Sequence, residues 1–119
     1  MRRKLSKKDR QKIYHKTKGH CAYCGCELPY EKMQVDHIVP IHRGGINELD
    51  NMLPACRSCN HYKSTMTLED FRECIGNWHD VLMRDCVTYK NAVRFGVVIP
   101  NPHKVTFYFE RMEGDSHDH

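Results

Sequence analysis

Apolar residues fall in short clusters, and their spacing changes character along the chain. Ile13, Tyr14 and Thr17 form a thin stripe at helical spacing within Lys7 to Lys18, which predicts a helix there. Ser6 can cap its start, Asp9 three residues on suits the positive helix end, and Gly19 terminates it. The helix delivers the chain into Cys21-Ala22-Tyr23-Cys24-Gly25-Cys26, which reads as a tight turn. From Met33 to Ile41 the residues are apolar and β-branched, broken by Asp36-His37, and predict a strand whose pairing Pro40 limits. His42-Arg43-Gly44-Gly45 predicts a flexible, partly basic turn, and Asn51 to Ala55 a short returning strand in which Pro54 marks an edge or the end of pairing. A helix begins near Cys56 and carries Cys59, Asn60 and Lys63 on its first turns. The order is strand, loop, strand, helix.

Beyond this, Thr67 and Asp70 open a helix with Leu68, Phe71 and Ile75 inward, interrupted at Gly76-Asn77. A second helix is predicted from about Trp78, with Val81, Leu82, Cys86, Tyr89 and Val93 at helical spacing and Gly96 at its end. Val97 to Ile99 and Lys104 to Glu110 read as strands that can form a hairpin across Pro100-Asn101-Pro102, with Phe107-Tyr108-Phe109 as core strand. Gly114 to His119 is polar and predicted to be disordered. The organisation expected is one domain over 1–119, with a core at 18–66, an extension at 67–113 and a tail at 114–119.

Composition sharpens this. At 119 residues with 39% apolar content, the chain can bury a modest core, at a size where a structural metal adds stability. No apolar run reaches the ~20 residues of a membrane span, and the basic Met1-Arg2-Arg3-Lys4 is not followed by an apolar signal core. A cytoplasmic protein without membrane association is expected. Seven cysteines, in a compartment that keeps thiols reduced, fit four metal ligands plus three free thiols better than a disulfide framework. The net charge of +4 is unevenly placed: residues 1–20 carry nine Lys/Arg against Asp9, and the remainder ten against fourteen acids. A basic N-terminal arm of this kind suits a phosphate backbone, and equally a solvated tail.

The cysteine spacing carries the chemistry. Cys21-x-x-Cys24 and Cys56-x-x-Cys59 supply four thiolates for one tetrahedral zinc, a closed site that leaves no position for water and is therefore structural. His20 and Cys26 are competing ligands, set aside because the Cys-x-x-Cys spacing recurs. The 31 residues between the pairs hold an insertion, and in it lie the reactive side chains. His37 is a candidate general base; Asp36 and Asn60 offer the hard oxygens that Mg²⁺ or Mn²⁺ prefers; Asn51 can fix a ring or a loop. Lys63, one turn past Asn60, can meet a phosphate, and Arg43 and Arg57 are further candidate nucleic-acid contacts, although the loop holding His42 and Arg43 suits solvent equally well. His61 competes with Asn60 as a ligand, but adjacent helical residues diverge by about 100°, so both cannot easily face one ion and Asn60 is the one favoured. Asp36 and His37, adjacent in a strand, should point to opposite faces, so a distortion is expected there.

Asp36-His37, Asn51 and Cys56-x-x-Cys59-Asn60-x-x-Lys63, preceded by Cys21-x-x-Cys24, resemble the HNH endonuclease family of the ββα-metal class, in its zinc-stapled phage, mobile-element and restriction members with a terminal Asn. The resemblance covers about residues 18–66. It implies a small α+β fold: a zinc-stapled ββα-metal core with a basic N-terminal helix and C-terminal helices plus short strands. It also implies a divalent-metal-dependent DNA endonuclease that nicks or cuts both strands. His37 would be the base, Asp36 and Asn60 the ligands of a catalytic Mg²⁺ or Mn²⁺, and Asn51 the residue that orients the base and supports the loop. DNA is the expected partner, with a homodimer or a phage packaging partner as further possibilities. A zinc-stapled binding module without cleavage, or a packaging component active only with its partner, are the alternatives.

Overall fold

The structure, a computed structural model, describes residues 4–117. These divide into two compact units, one of residues 4–68 and 106–117 and the other of Glu69–Val105, so the second is an insertion in the first.

Helix α1 (Lys7–His15) opens the first unit. Ser6 Oγ accepts from Asp9 N at 3.0 Å while Asp9 Oδ2 accepts from Ser6 N at 3.3 Å, a reciprocal box that satisfies two otherwise unpaired donors. Its inner face seats Ile13, fully buried with Leu28, Met33 and Met52. The helix stops three residues short of the predicted Lys18, because Lys18 (φ +53°) and Gly19 (φ +83°) turn left-handed and swing the chain toward Cys21.

Two strands, β1 (Gln34–His37) and β2 (Met52–Ala55), pair antiparallel with Asp36 opposite Leu53 and His37 opposite Met52. Helix α2 (Arg57–Lys63) follows directly and packs on β1. This is the predicted ββα order, within a small α+β fold consistent with a zinc-stapled ββα-metal architecture.

The predicted strand to Ile41 is cut short by competition for its backbone. Beyond His37, Ile38 N donates to Asn51 O at 2.8 Å and Val39 N to Asn51 Oδ1 at 2.9 Å, so one asparagine replaces the ladder. The chain then makes a 3₁₀ turn at Ile41–Arg43. Gly44 and Gly45 are less a flexible hinge than a fitted turn: a Cβ on Gly45 would lie 1.8 Å from the Val39 carbonyl oxygen.

The C-terminal expectations need four corrections. The long helix predicted from Trp78 is two, α4 (Trp78–Asp85) and α5 (Val87–Arg94), after α3 (Leu68–Gly76). Cys86 between them is extended, and the β-branched Val87 and Thr88 are weak helix formers at the join. His79 Nδ1 and Tyr89 Oη, 2.8 Å apart, link the two helices. Val97 to Ile99 is no strand, since Val97 N and Val98 N both donate to Ala92 O and close α5. Lys104 to Glu110 is not one either: Glu110 Oε1 accepts from Phe107 N at 2.9 Å and starts α6 (Tyr108–His117). That helix runs through 114–117, where disorder was predicted; 118–119 lie outside the described residues. Among the described residues no helix is long and apolar enough to cross a membrane.

Gly45→Ala should destabilise the protein by about 1–3 kcal/mol through this backbone overlap, read as a lower midpoint in denaturant with an unchanged slope. An unaltered midpoint would mean that the turn is not fitted as described.

Candidate functional site

The Cys-x-x-Cys turns meet. The Sγ atoms of Cys21, Cys24, Cys56 and Cys59 all lie within 4.8 Å of one another, with Cys24 and Cys56 at 3.9 Å. Tetrahedral zinc with ~2.3 Å bonds spaces its sulfurs about 3.8 Å apart, so the four thiols are gathered closely enough to close on one ion with sulfur shifts of at most about 1 Å. Gly25, at φ +81°, folds the first turn back so that Gly25 N donates to the Cys21 carbonyl oxygen at 3.0 Å. In the second turn Cys59 N donates to Cys56 Sγ at 3.4 Å, which caps α2. The thiol of Cys59, and then backbone donors of Cys56, Cys24 and Tyr23, hold Cys21 down to about 4, while burial pushes Cys24 up. A cluster that already favours one thiolate is poised for a cation. His20 and Cys26 are not among the four: His20 Nδ1 faces Gly25 O at 3.0 Å, and the Cys26 thiol lies beside the cluster, next to those of Cys24 and Cys56.

Asp36 sits on β1, only 5% exposed, with Oδ2 shared by two donors: the Tyr23 hydroxyl and Lys63 Nζ at 2.9 Å. Lys63 is fully buried and also donates to the His37 carbonyl oxygen at 3.0 Å. The expectation that Lys63 meets a phosphate is therefore corrected: its ammonium is spent inside the protein, between the strand and α2. Burial, and next the Asp36 carboxylate, push the Tyr23 hydroxyl well above the ordinary tyrosine range, so it remains a donor. Tyr23 is in turn held edge-on by Phe107 and Phe109, with ring centroids 5.3 and 6.2 Å away. Tyr108 N and Phe109 N donate to Tyr23 O and Ala22 O.

His37, half-buried, is the last residue of β1, and its Nε2 lies 3.1 Å from Asn47 Oδ1. The expected distortion is not found; strand pairing runs in register through His37. Asp36 and His37 share a site because the strand ends there, and both line a cleft of about 610 Å³ together with Asn60, His61, His42 and Ser64. Asn60 and His61 thus both reach the cleft. Asp36 Oδ1 and the Asn60 side chain carry no hydrogen bond to a described residue, which leaves two hard oxygens for a divalent cation.

Asn51 stands behind the cleft, where Nδ2 donates to Val39 O at 2.9 Å and to Ile46 O at 2.8 Å. It holds the loop, and its amide makes no hydrogen bond to the imidazole. Arg43 and Arg57 are exposed, and Arg43 spends Nε on the Thr65 carbonyl oxygen at 2.7 Å. Two neighbours escaped the sequence reading: Tyr23 looks like a spacer inside Cys-x-x-Cys, and Asn47 like a turn residue. A hydroxyl-bearing residue between two metal-spaced cysteines was the one signal available for Tyr23.

Comparison with known proteins reaches the same segment. The HNH endonuclease family model matches residues 21–65, from the first cysteine of the cluster to two residues past α2. Those residues form an HNH endonuclease domain. The HNH segment has relatives in far larger proteins. The chain is 39% identical over 44 residues to a CRISPR-associated endonuclease Cas9 of Corynebacterium diphtheriae, and 42% identical over 45 residues to that of Actinomyces naeslundii. These stretches cover 36% and 37% of this chain and 4% of each relative. The crystal structure of the type II-C Cas9 enzyme from Actinomyces naeslundii superposes with a TM-score of 0.53 at 29% identity, over 64% of this chain and 9% of that one. Phosphodiester hydrolysis is the typical activity of HNH endonucleases, and they act on nucleic acid with a divalent metal.

Two outcomes follow for the HNH domain. Stripping zinc with a chelator should abolish the cooperative thermal transition, since structural zinc contributes on the order of 10 kcal/mol to folding; a transition that survives a verified loss of zinc would exclude this role. Lys63→Ala should cost about 3–5 kcal/mol, because it leaves the Asp36 carboxylate buried without its cation. Chemical denaturation measures that directly, and a loss below about 1 kcal/mol, the level of an exposed pair, would show the pair to be solvated.

Proposed function

We propose that this protein is a divalent-metal-dependent DNA endonuclease in which His37 is the general base and Asp36 and Asn60 hold the catalytic cation, Mg²⁺ or Mn²⁺. The observation that carries the reading is the cleft shared by Asp36, His37 and Asn60, with a free oxygen on each of the two ligands. The family match over 21–65 and the relatives' description as endonucleases support it.

In this mechanism His37 takes the proton from a water that attacks the phosphorus in line with the departing 3′ oxygen. The cation, when bound, offsets the charge that develops on the phosphate and the leaving oxygen. Lys63 and Tyr23 hold the Asp36 carboxylate through Oδ2 and keep it from turning, which leaves Oδ1 for the ion. Asn51 keeps the 38–46 loop closed beside the imidazole. The products are 5′-phosphate and 3′-hydroxyl ends. Arg43 and Arg57, both exposed, and the basic residues of α1 are the candidate contacts to the DNA backbone, which would position the strand without reading its sequence.

Supercoiled plasmid incubated with Mg²⁺, Mn²⁺ or EDTA tests the reading. Metal-dependent nicking should appear in the wild type and fall at least about 100-fold in His37→Ala, the contribution expected of a general base. Nicking that survives the substitution would remove His37 from this role. DNA binding without cleavage under any metal would move the protein to a zinc-stapled binding module.

A further inference from the structure

We infer that Asn47 is a positioning residue that fixes the proton of His37 on Nε2 and thereby reserves Nδ1 as the proton acceptor. Its meaning for catalysis rests on the nuclease reading; the tautomer itself does not. A neutral imidazole holds one proton, and the nitrogen that carries it is set by the partner of the other. Here Nε2 lies 3.1 Å from Asn47 Oδ1, and an amide oxygen can only accept. Nε2 is therefore the N–H, and Nδ1 keeps its lone pair. No described residue bonds Nδ1. Among the described residues, the ring thus has one hydrogen-bonded nitrogen and one left for water at the cleft.

Asn47 is itself held in place. The residue before it, Ile46, gives its carbonyl oxygen to Asn51 Nδ2 at 2.8 Å, and the same amide bonds Val39 at 2.9 Å from both oxygen and nitrogen sides. Gly45, two residues upstream, lies so close to the Val39 carbonyl oxygen that a side chain there would overlap it. The loop that looks like a flexible connection is a bracket, and what it carries to the imidazole is the Asn47 amide. Asn51 and Asn47 thus divide the work: the first closes the loop, the second reaches the ring. A base that offers the wrong nitrogen loses its proton acceptor even when its position is unchanged; in a serine protease such a tautomer error costs about 10⁴ in turnover.

The test uses the zinc-loaded full chain with ¹⁵N-labelled histidine, and nitrogen NMR at alkaline pH to read which His37 nitrogen is protonated. Wild type should show Nε2–H. Asn47→Asp, which keeps an acceptor and loses the amide donor, should retain Nε2–H, whereas Asn47→Leu should give a mixture of tautomers. In the plasmid assay Asn47→Leu should lower kcat about 10- to 100-fold with little change in KM, and Asn47→Asp should restore most of that loss. Nδ1–H in the wild type overturns the inference, as it would mean that the Asn47 amide donates; so does an Nε2–H tautomer that survives Asn47→Leu, or equal losses of kcat in both variants. Should Asn47→Leu fail to fold, the wild-type and Asn47→Asp spectra still decide. A wild type that shows Nε2–H but cleaves nothing would defeat the nuclease reading and leave the tautomer assignment standing.

Discussion

A buried carboxylate is costly unless its charge is met, and the first unit is arranged around meeting that of Asp36. Lys63 supplies the cation from α2 and Tyr23 a neutral donor from the first zinc turn, both to the same oxygen. Because Lys63 also donates to the backbone of His37, the pair fixes the strand end as well as the acid. Such pairs seldom raise stability over an apolar replacement. Their effect here is geometric: they leave one orientation of the carboxylate and one position of α2 relative to β1.

A zinc held by the four thiols would do the complementary task at the other end of the same elements. Cys21 and Cys24 flank Tyr23 in the chain, while Cys56 caps α2 and Cys59 lies on its first turn. A metal joining these four sulfurs fixes the start of α2, and the Asp36–Lys63 pair fixes its end. A helix of seven residues is too short to be stable on its own propensity, so it needs both attachments. Asn60, on which the proposed chemistry depends, lies between them.

Much of this was legible in the sequence. The paired Cys-x-x-Cys units, the α1 cap and the ββα order are written in local spacing and in residues with few alternative uses. The adjacent Asp36 and His37 could also be singled out. What could not be read was the partner of each polar group. Lys63 carries the same charge whether it faces a phosphate or a buried aspartate, and only the fold shows that it is sealed. The strand pattern at 104–110 is real in composition, but among the described residues no strand pairs with it, and Glu110 tips the segment into a helix. At Cys86 weak helix formers broke a periodicity that continued across the break. Tyr23 and Asn47 sit in motifs as filler, and their importance comes from contacts made across the fold.

The aromatic clamp on Tyr23 has a bearing on the order of synthesis. Phe107 and Phe109 flank the ring that holds Asp36, yet they leave the ribosome only after the whole Glu69–Val105 insertion. The HNH segment can therefore be complete in sequence, and even hold its zinc, while Tyr23 still lacks one wall of its packing. Vectorial synthesis thus places a delay, the length of one small helical unit, between making the reactive residues and finishing the surroundings that steady them. A nascent chain stalled inside the insertion would carry every motif residue and still lack the aromatic side chains that seat the acid.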